Sequence, residues 1–306
     1  PTRRSSDLGG TLLERGHDVA WAGMTKLNMK LFPSGAKYFY MEKTESKNKK
    51  EMERIILLQN KGANMPALEA LKLGLEDTYI PFARMMIDEF NEIVEQYKPD
   101  VIVNDCITFV GGLSAQLKNI PFATITPITP NALNDPQSAP KVTEWVHKSI
   151  IDLQRFVGID GDEEFVQSKL LNMYYTSQLF CGLDNASVPP YMKFIGALTG
   201  RPDNTPFDWK KLDAMGDHPK IYISIGTVLV QSRKDFFSRM IEALKDKPVT
   251  VIAAADPNIL DEWPENFIVQ GYVPQSELLK HIDVVIGHGG LNTTCDTFIN
   301  GIPMLI

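Results

Sequence analysis

Tyr272–Pro303 reads YVPQSELLKHIDVVIGHGGLNTTCDTFINGIP, and this stretch decides the fold. An apolar run, Val284–Ile286, passes directly into Gly287-His288-Gly289-Gly290, and a helix is predicted over Asn292–Asn300. Adjacent glycines let a backbone approach a ligand closely. The amides at a helix start, at the positive end of its dipole, make an anion site. His288 adds a hydrogen bond or a charge toward a phosphate, and Thr293 and Thr294 add hydroxyls. Asp296 stands one turn into the helix, where an acidic side chain can take ribose hydroxyls. A plain strand-to-helix turn with Asn292 as N-cap is the bland alternative for a lone Gly-Gly pair, and the length of the string argues against it.

The same rhythm runs outward in both directions. Upstream, strands are expected at Ile221–Ile225, Val249–Ala254 and Phe267–Val269, and helices at Lys234–Lys245 and Ser276–Lys280. Earlier still, Leu12–Arg15 is read as a helix stopped by Gly16, followed by a strand at Asp18–Ala22. A strand Val101–Val103, a helix Gly111–Leu117 and a strand Phe122–Ile125 form another strand–helix–strand unit. Residues 50–97 read as helical, with Pro66 and Pro81 as breaks or starts, and 141–172 as a second helical stretch. Strands are expected at Gln178–Cys181 and Lys193–Ile195, ahead of a polar segment rich in Pro, Gly and Asp. Alternation of this kind predicts an α/β protein with parallel sheets covered by helices. The expected domains are 9–196, a linker over 197–219, and 220–306.

Composition narrows the function. The chain has 306 residues, 43% of them apolar, and a net charge of −7, with no Lys/Arg stripe that would suit nucleic acid. Its three cysteines, Cys106, Cys181 and Cys295, are far apart, as buried thiols in a reducing cytoplasm are, so a cytoplasmic location is expected. No apolar run reaches the roughly 18–20 residues that span a bilayer, while a loose peripheral membrane contact stays open because lipophilic acceptors gather there. Residues 1–8 read like the translation of a sequencing-library adapter, and Gly301–Ile306 like a strand cut short. The chain is therefore expected to be an incomplete, inactive piece of its enzyme.

The quoted string resembles the donor signature of family-1 glycosyltransferases, which include plant and animal UDP-glycosyltransferases and bacterial macrolide and carotenoid glucosyltransferases. The positions that carry the resemblance are Tyr272, Pro274, Gln275, His288, Gly290, Asn292, Thr293, Asp296, Gly301 and Pro303. His-Gly-Gly-Leu-Asn-Thr with Asp296 has a bacterial, carotenoid-glucosyltransferase flavour. The resemblance implies a GT-B fold, two Rossmann-like domains facing across a cleft, with the C-terminal domain incomplete. It implies inverting transfer of a hexose from a UDP-sugar, the co-substrate, to a hydroxyl of a small lipophilic acceptor. No cofactor and no metal are expected, since helix amides do a metal's work.

Residue by residue, the resemblance puts Tyr272 against uracil, in place of the family's usual Trp, with Val273 at the base edge through its backbone. Gln275 belongs to the same donor signature. His288, Gly289, Gly290, Asn292 and Thr293 hold the diphosphate, and Asp296 replaces the commoner Glu at the ribose. Gly226-Thr227, after the strand Ile221–Ile225, matches the Ser-x-Gly-Thr turn that meets the phosphates from the other side. Asp105, in Asn104-Asp105-Cys106, matches the Asp that orients the family's catalytic His, which is expected upstream in a loop this chain lacks. Its alternative is a cap for the helix near Phe109. Thr126–Pro130 is expected to line the acceptor cleft.

Other patterns are read as structural. His17 marks a turn, and Asp160-Gly161-Asp162, although of the D-x-D form of metal-dependent transferases, is read as an N-cap. Lys47–Lys50 is read as a charged loop, and Glu144, Trp145 and His147 as one side of a helix. Two rival readings remain: a lipid-linked sugar transferase of the peptidoglycan-precursor kind, and a catalytically incomplete nucleotide-binding module.

Overall fold

A computed structural model of the chain describes residues 3–27, 29, 32–61, 65–130, 139–184, 188–197, 205–226 and 233–306. In it the strand–helix alternation becomes parallel sheets, and the chain divides after Gly196 into two units.

The first unit opens with α1 (Arg3–Glu14), which runs back through residues set aside in the sequence reading. Gly16 ends it in the left-handed region, at φ +85°, and His17 N–H closes the turn onto Leu12 O at 3.0 Å. Strands β1 (Ala20–Gly23) and β2 (Lys37–Tyr40) pair in parallel. Next come α2 (Glu42–Lys61) and α3 (Ala67–Gly74), then a π-helical turn at Leu75–Tyr79 that leads into α4 (Ile80–Tyr97). Lys47–Lys50 therefore lies within a helix, not a loop, and α2 kinks at Asn48, whose amide donates to Thr44 O at 2.8 Å. A four-stranded parallel sheet follows, built from β3 (Ile102–Asp105), β4 (Phe122–Thr126), β5 (Leu171–Tyr174) and β6 (Met192–Phe194) in that order. α5 (Val110–Lys118) and α6 (Pro140–Phe156) connect these strands.

Three expectations fail here. The stretch 141–172 is not one helix: α6 stops at Phe156, Gly158 takes φ +90°, and the chain re-enters the sheet as β5. Asp162 caps no helix, because none follows it, and its carboxylate pairs with Arg155 at 3.0 Å. Gln178–Cys181 is a turn closed by Cys181 N–H on Gln178 O at 3.1 Å, not a strand.

The second unit carries α7 (Trp209–Ala214), inside the segment expected as a linker, and α7 sends Leu212 into the core. Its sheet contains β7 (Lys220–Ser224), β8 (Thr250–Ala254), β9 (Phe267–Gln270), β10 (Val284–Gly287) and β11 (Met304–Leu305). The helices are α8 (Arg233–Leu244), α9 (Gln275–Leu278) and α10 (Leu291–Ile299). Strand order is β11-β10-β7-β8-β9, all parallel. Alternate residues feed two cores. Tyr222, Ile252, Ile268 and Val285 pack with Leu278 and Leu279, while Ile223, Val251, Ala253 and Phe267 pack around Phe237. A sheet buried on both faces explains why its strands read as unbroken apolar runs.

Candidate functional site

The chain enters the second sheet at β7, builds outward through β8 and β9, then crosses back to lay β10 on the other side of β7. Strand order therefore reverses between β7 and β10, and open α/β sheets bind ligands at the carboxyl ends of the strands flanking such a point. Those ends are adjacent, with Gly287 opposite Ser224 in the register. A Cβ on Gly287 would lie 2.8 Å from Ser224 O, so only glycine lets the two strand ends close up.

His288 follows directly, and its imidazole lies between two glycines. A Cβ on Gly226 would come within 2.6 Å of the ring's Cε1, and one on Gly290 within 2.7 Å of its Nε2. Gly226 (φ +66°) and Gly289 (φ +73°) both use the left-handed backbone region that glycine supplies without strain. Gly290 also holds the N-cap position of α10, where it has no side chain to offer the first-turn amides. The bland alternative, with Asn292 as the cap, does not hold: the helix starts at Leu291, and Asn292 lies exposed in its first turn. An exposed imidazole beside the amide end of a helix is suited to an anion.

A second cluster forms around Gln275, at the start of α9. Its Nε2 donates to Asp296 Oδ2 at 2.7 Å, while its Oε1 accepts from Tyr222 Oη at 3.2 Å and Thr293 Oγ1 at 3.3 Å. Thr293 and Asp296 are three residues apart on α10 and so share a face. Just before α9, Val273 is buried in the core, and Tyr272 is 76% exposed. The Tyr272 backbone is held by Gln270, whose Nε2 donates to Tyr272 O at 2.5 Å and to Pro206 O at 2.6 Å. Thr227 lies outside the described residues.

In the first unit, Asp105 ends β3 at the carboxyl edge of its sheet. Its Oδ1 accepts from Ile107 N–H at 3.2 Å, and its carbonyl accepts from Thr108 N–H at 2.9 Å and from Asn104 Nδ2 at 3.0 Å. The carboxylate thus braces the turn into α5 without being that helix's N-cap, which is Phe109. Burial, and then nearby Cys106 and Asp105, push the Tyr79 phenol above its ordinary value. Thr126, at the end of β4, is buried, and its hydroxyl donates to Asn172 Oδ1 at 2.5 Å. That side chain is committed to the interior.

Residues 170–306 match the UDP-glucoronosyl and UDP-glucosyl transferase family. That match covers the glycine turns, and the chain shares its fold with solved glycosyltransferases. Among curated relatives, it is 23% identical over 235 residues to an NDP-glycosyltransferase, YjiC, of Bacillus subtilis (strain 168). That match covers 72% of this chain and 57% of the relative, so the chain spans little more than half of that protein. The solved glycotransferase of kitacinnamycin superposes with a TM-score of 0.72 at 19% identity, covering 99% of this chain and 76% of that one. The spinosyn rhamnosyltransferase SpnG, solved with thymidine diphosphate, superposes with a TM-score of 0.64 at 17% identity, with coverages of 99% and 76%.

The family match sorts the remaining sequence candidates. It spans the glycine turns and the Gln275 cluster and leaves Asp105 outside. Trp145 and His147, both half-buried, bond within the first unit: Trp145 Nε1 donates to Glu76 at 2.8 Å, and His147 Nδ1 lies 2.6 Å from Glu164. Glu144 is exposed on the same helix. Among the described residues, no group of three or more His, Cys, Asp or Glu is placed to hold a metal ion, and no helix is long and apolar enough to cross a membrane. Sequence reasoning missed Tyr222. Its sole signal was a polar atom on a residue set between two isoleucines in the middle of the strand Lys220–Ser224.

Proposed function

We propose that this chain takes part in inverting transfer of a hexose from a nucleoside diphosphate sugar to a hydroxyl of a small lipophilic acceptor. The observation that carries the reading is His288, seated between Gly226 and Gly290 where β7 and β10 end and α10 begins. A pyrophosphate there meets helix amides and an imidazole together. Both gain strength as negative charge grows on the departing UDP, which is how such a site lowers the barrier. Tyr272, 76% exposed, offers a face for the base, and Asp296 receives the ribose. Gly289, Asn292 and Thr293 complete the phosphate turn.

On the acceptor side, Asp105 orients the imidazole that removes the proton from the acceptor hydroxyl, as the family resemblance implies. The oxygen attacks the anomeric carbon, the carbon–oxygen bond to UDP breaks, and a single displacement inverts the configuration. The solved neighbours, a glycotransferase of kitacinnamycin and a rhamnosyltransferase holding thymidine diphosphate, support this chemistry by analogy. Among the described residues none of the three cysteines is joined in a disulfide, and we place the reaction in a reducing cytoplasm, which suits such thiols.

Titration calorimetry of the full chain with UDP tests the donor site. Binding that weakens in His288→Ala is expected. Equal binding by wild type and variant, or none by either, would remove the reading. A screen of UDP-sugars against hydroxyl-bearing lipophilic acceptors, run with a form of the enzyme that carries the upstream histidine, then identifies sugar and acceptor.

A further inference from the structure

We propose that Gln275 acts through Asp296, as a positioning residue fixed by the buried Tyr222 hydroxyl. This lock would make the site select nucleotides that carry a ribose 2′-hydroxyl. The proposal rests on the donor site proposed above. A carboxylate only accepts hydrogen bonds, so the amide can present only its NH2 group to Asp296 Oδ2, at 2.7 Å. Its oxygen then points the other way, to where Tyr222 Oη and Thr293 Oγ1 converge at 3.2 and 3.3 Å. Turning the amide over would set oxygen against carboxylate, so one orientation is enforced. Tyr222 is 2% exposed, and its ring is held in the core by Leu212, Leu278 and Val285. Its hydroxyl is therefore a fixed point, and the amide inherits that rigidity.

An aspartate reaches one methylene less far than a glutamate and gains most from being held. Thr297 and Asn300 tie the same stretch of α10: Thr297 Oγ1 donates to Thr293 O at 2.6 Å, and Asn300 Nδ2 donates to Asp296 O at 2.8 Å. A carboxylate anchored on both backbone and side chain cannot follow a sugar that lacks its hydroxyl. A polar group fixed to receive a hydroxyl rejects the analogue without it, because the acceptor is left unsatisfied. A mobile carboxylate would turn to water and discriminate poorly.

The test is calorimetry of the full chain with UDP and with 2′-deoxyuridine diphosphate, taking the ratio of the two affinities. Wild type should prefer UDP about tenfold or more. Tyr222→Phe, which deletes only the hydroxyl, should cut that ratio severalfold, and Gln275→Met, similar in length but without the amide, should bring it close to one. Thermal unfolding of each variant is measured alongside. A variant that loses stability while keeping the wild-type ratio has lost a merely structural contact, and this outcome in either variant overturns the proposal. Tight UDP binding with no ribose preference in wild type overturns the lock while the donor site stands. Failure of both nucleotides to bind overturns both.

Discussion

Alanine at position 290 would set a methyl carbon 2.7 Å from Nε2 and 2.8 Å from Cε1 of His288, well inside any van der Waals contact. Gly226 also lies close to this edge of the ring, where a Cβ would stand 2.6 Å from Cε1. The imidazole must therefore swing out of the slot. It is exposed, so the swing costs the fold little, on the order of 0.5 kcal/mol, as for other surface substitutions. A nucleotide, by contrast, loses one hydrogen bond to a charged group, worth about 1.5–3 kcal/mol, or roughly 10- to 150-fold in affinity. The assay is a double-mutant cycle on UDP affinity using Gly290→Ala, His288→Ala and the pair, with melting temperature followed in parallel. If the glycine exists to seat the ring, alanine at 290 should cost little once His288 is gone. Additive losses, or an unaffected single glycine mutant, would refute that account.

Three further outcomes follow from the same geometry. Tyr272→Ala should weaken UDP by about 1–3 kcal/mol through lost base stacking, while Tyr272→Phe stays close to wild type in the same titration. Asp105→Asn keeps an oxygen for Ile107 N–H but loses the charge, so in a form of the enzyme that carries the upstream histidine steady-state transfer should fall by on the order of 100-fold or more, with UDP affinity and melting unchanged. Burial, chiefly, pushes the Tyr174 phenol up to about 12. The folded state then keeps a proton that the unfolded chain releases above its ordinary value near 10. Stability should hold below about pH 10 and drop by roughly 2–3 kcal/mol as pH rises toward 12. Urea titrations across that window should show a shallower alkaline fall in Tyr174→Phe.

Where one residue type settles the backbone, the sequence was legible. Gly287-His288-Gly289-Gly290 placed the strand end and the helix start to within a residue, and the apolar runs marked β7, β8, β9 and β10 because both faces of that sheet are buried. The strand β5 was hidden for the opposite reason. Asn172 interrupts its apolar pattern, and its burial makes sense only through bonds to Gln167, Tyr174 and Thr126, the last of them 46 positions away in the chain. β2 (Lys37–Tyr40) was missed because four residues give periodicity little to act on. At the candidate site, Gln275 and Asp296 were both named from the signature. That one holds the other is a contact across 21 positions, completed by a tyrosine 53 positions away, and no local pattern encodes it.

The wide winding at Leu75–Tyr79 bears on how this chain tolerates changes in length. There Ile80 N–H reaches back five residues to Leu75 O, so the turn accommodates a surplus residue between α3 and α4. Excising one position would let the two helices fuse in regular α-geometry, and would rotate everything upstream by about 100° about the common axis. Leu71 and Leu75, which now meet Met86 and Leu113 in one apolar cluster, would be carried round toward solvent. The extra residue is thus a phase shifter that brings two hydrophobic stripes onto the same side. Gly74 makes room for it, since a methyl there would press on Tyr79 Cε2 at 3.3 Å.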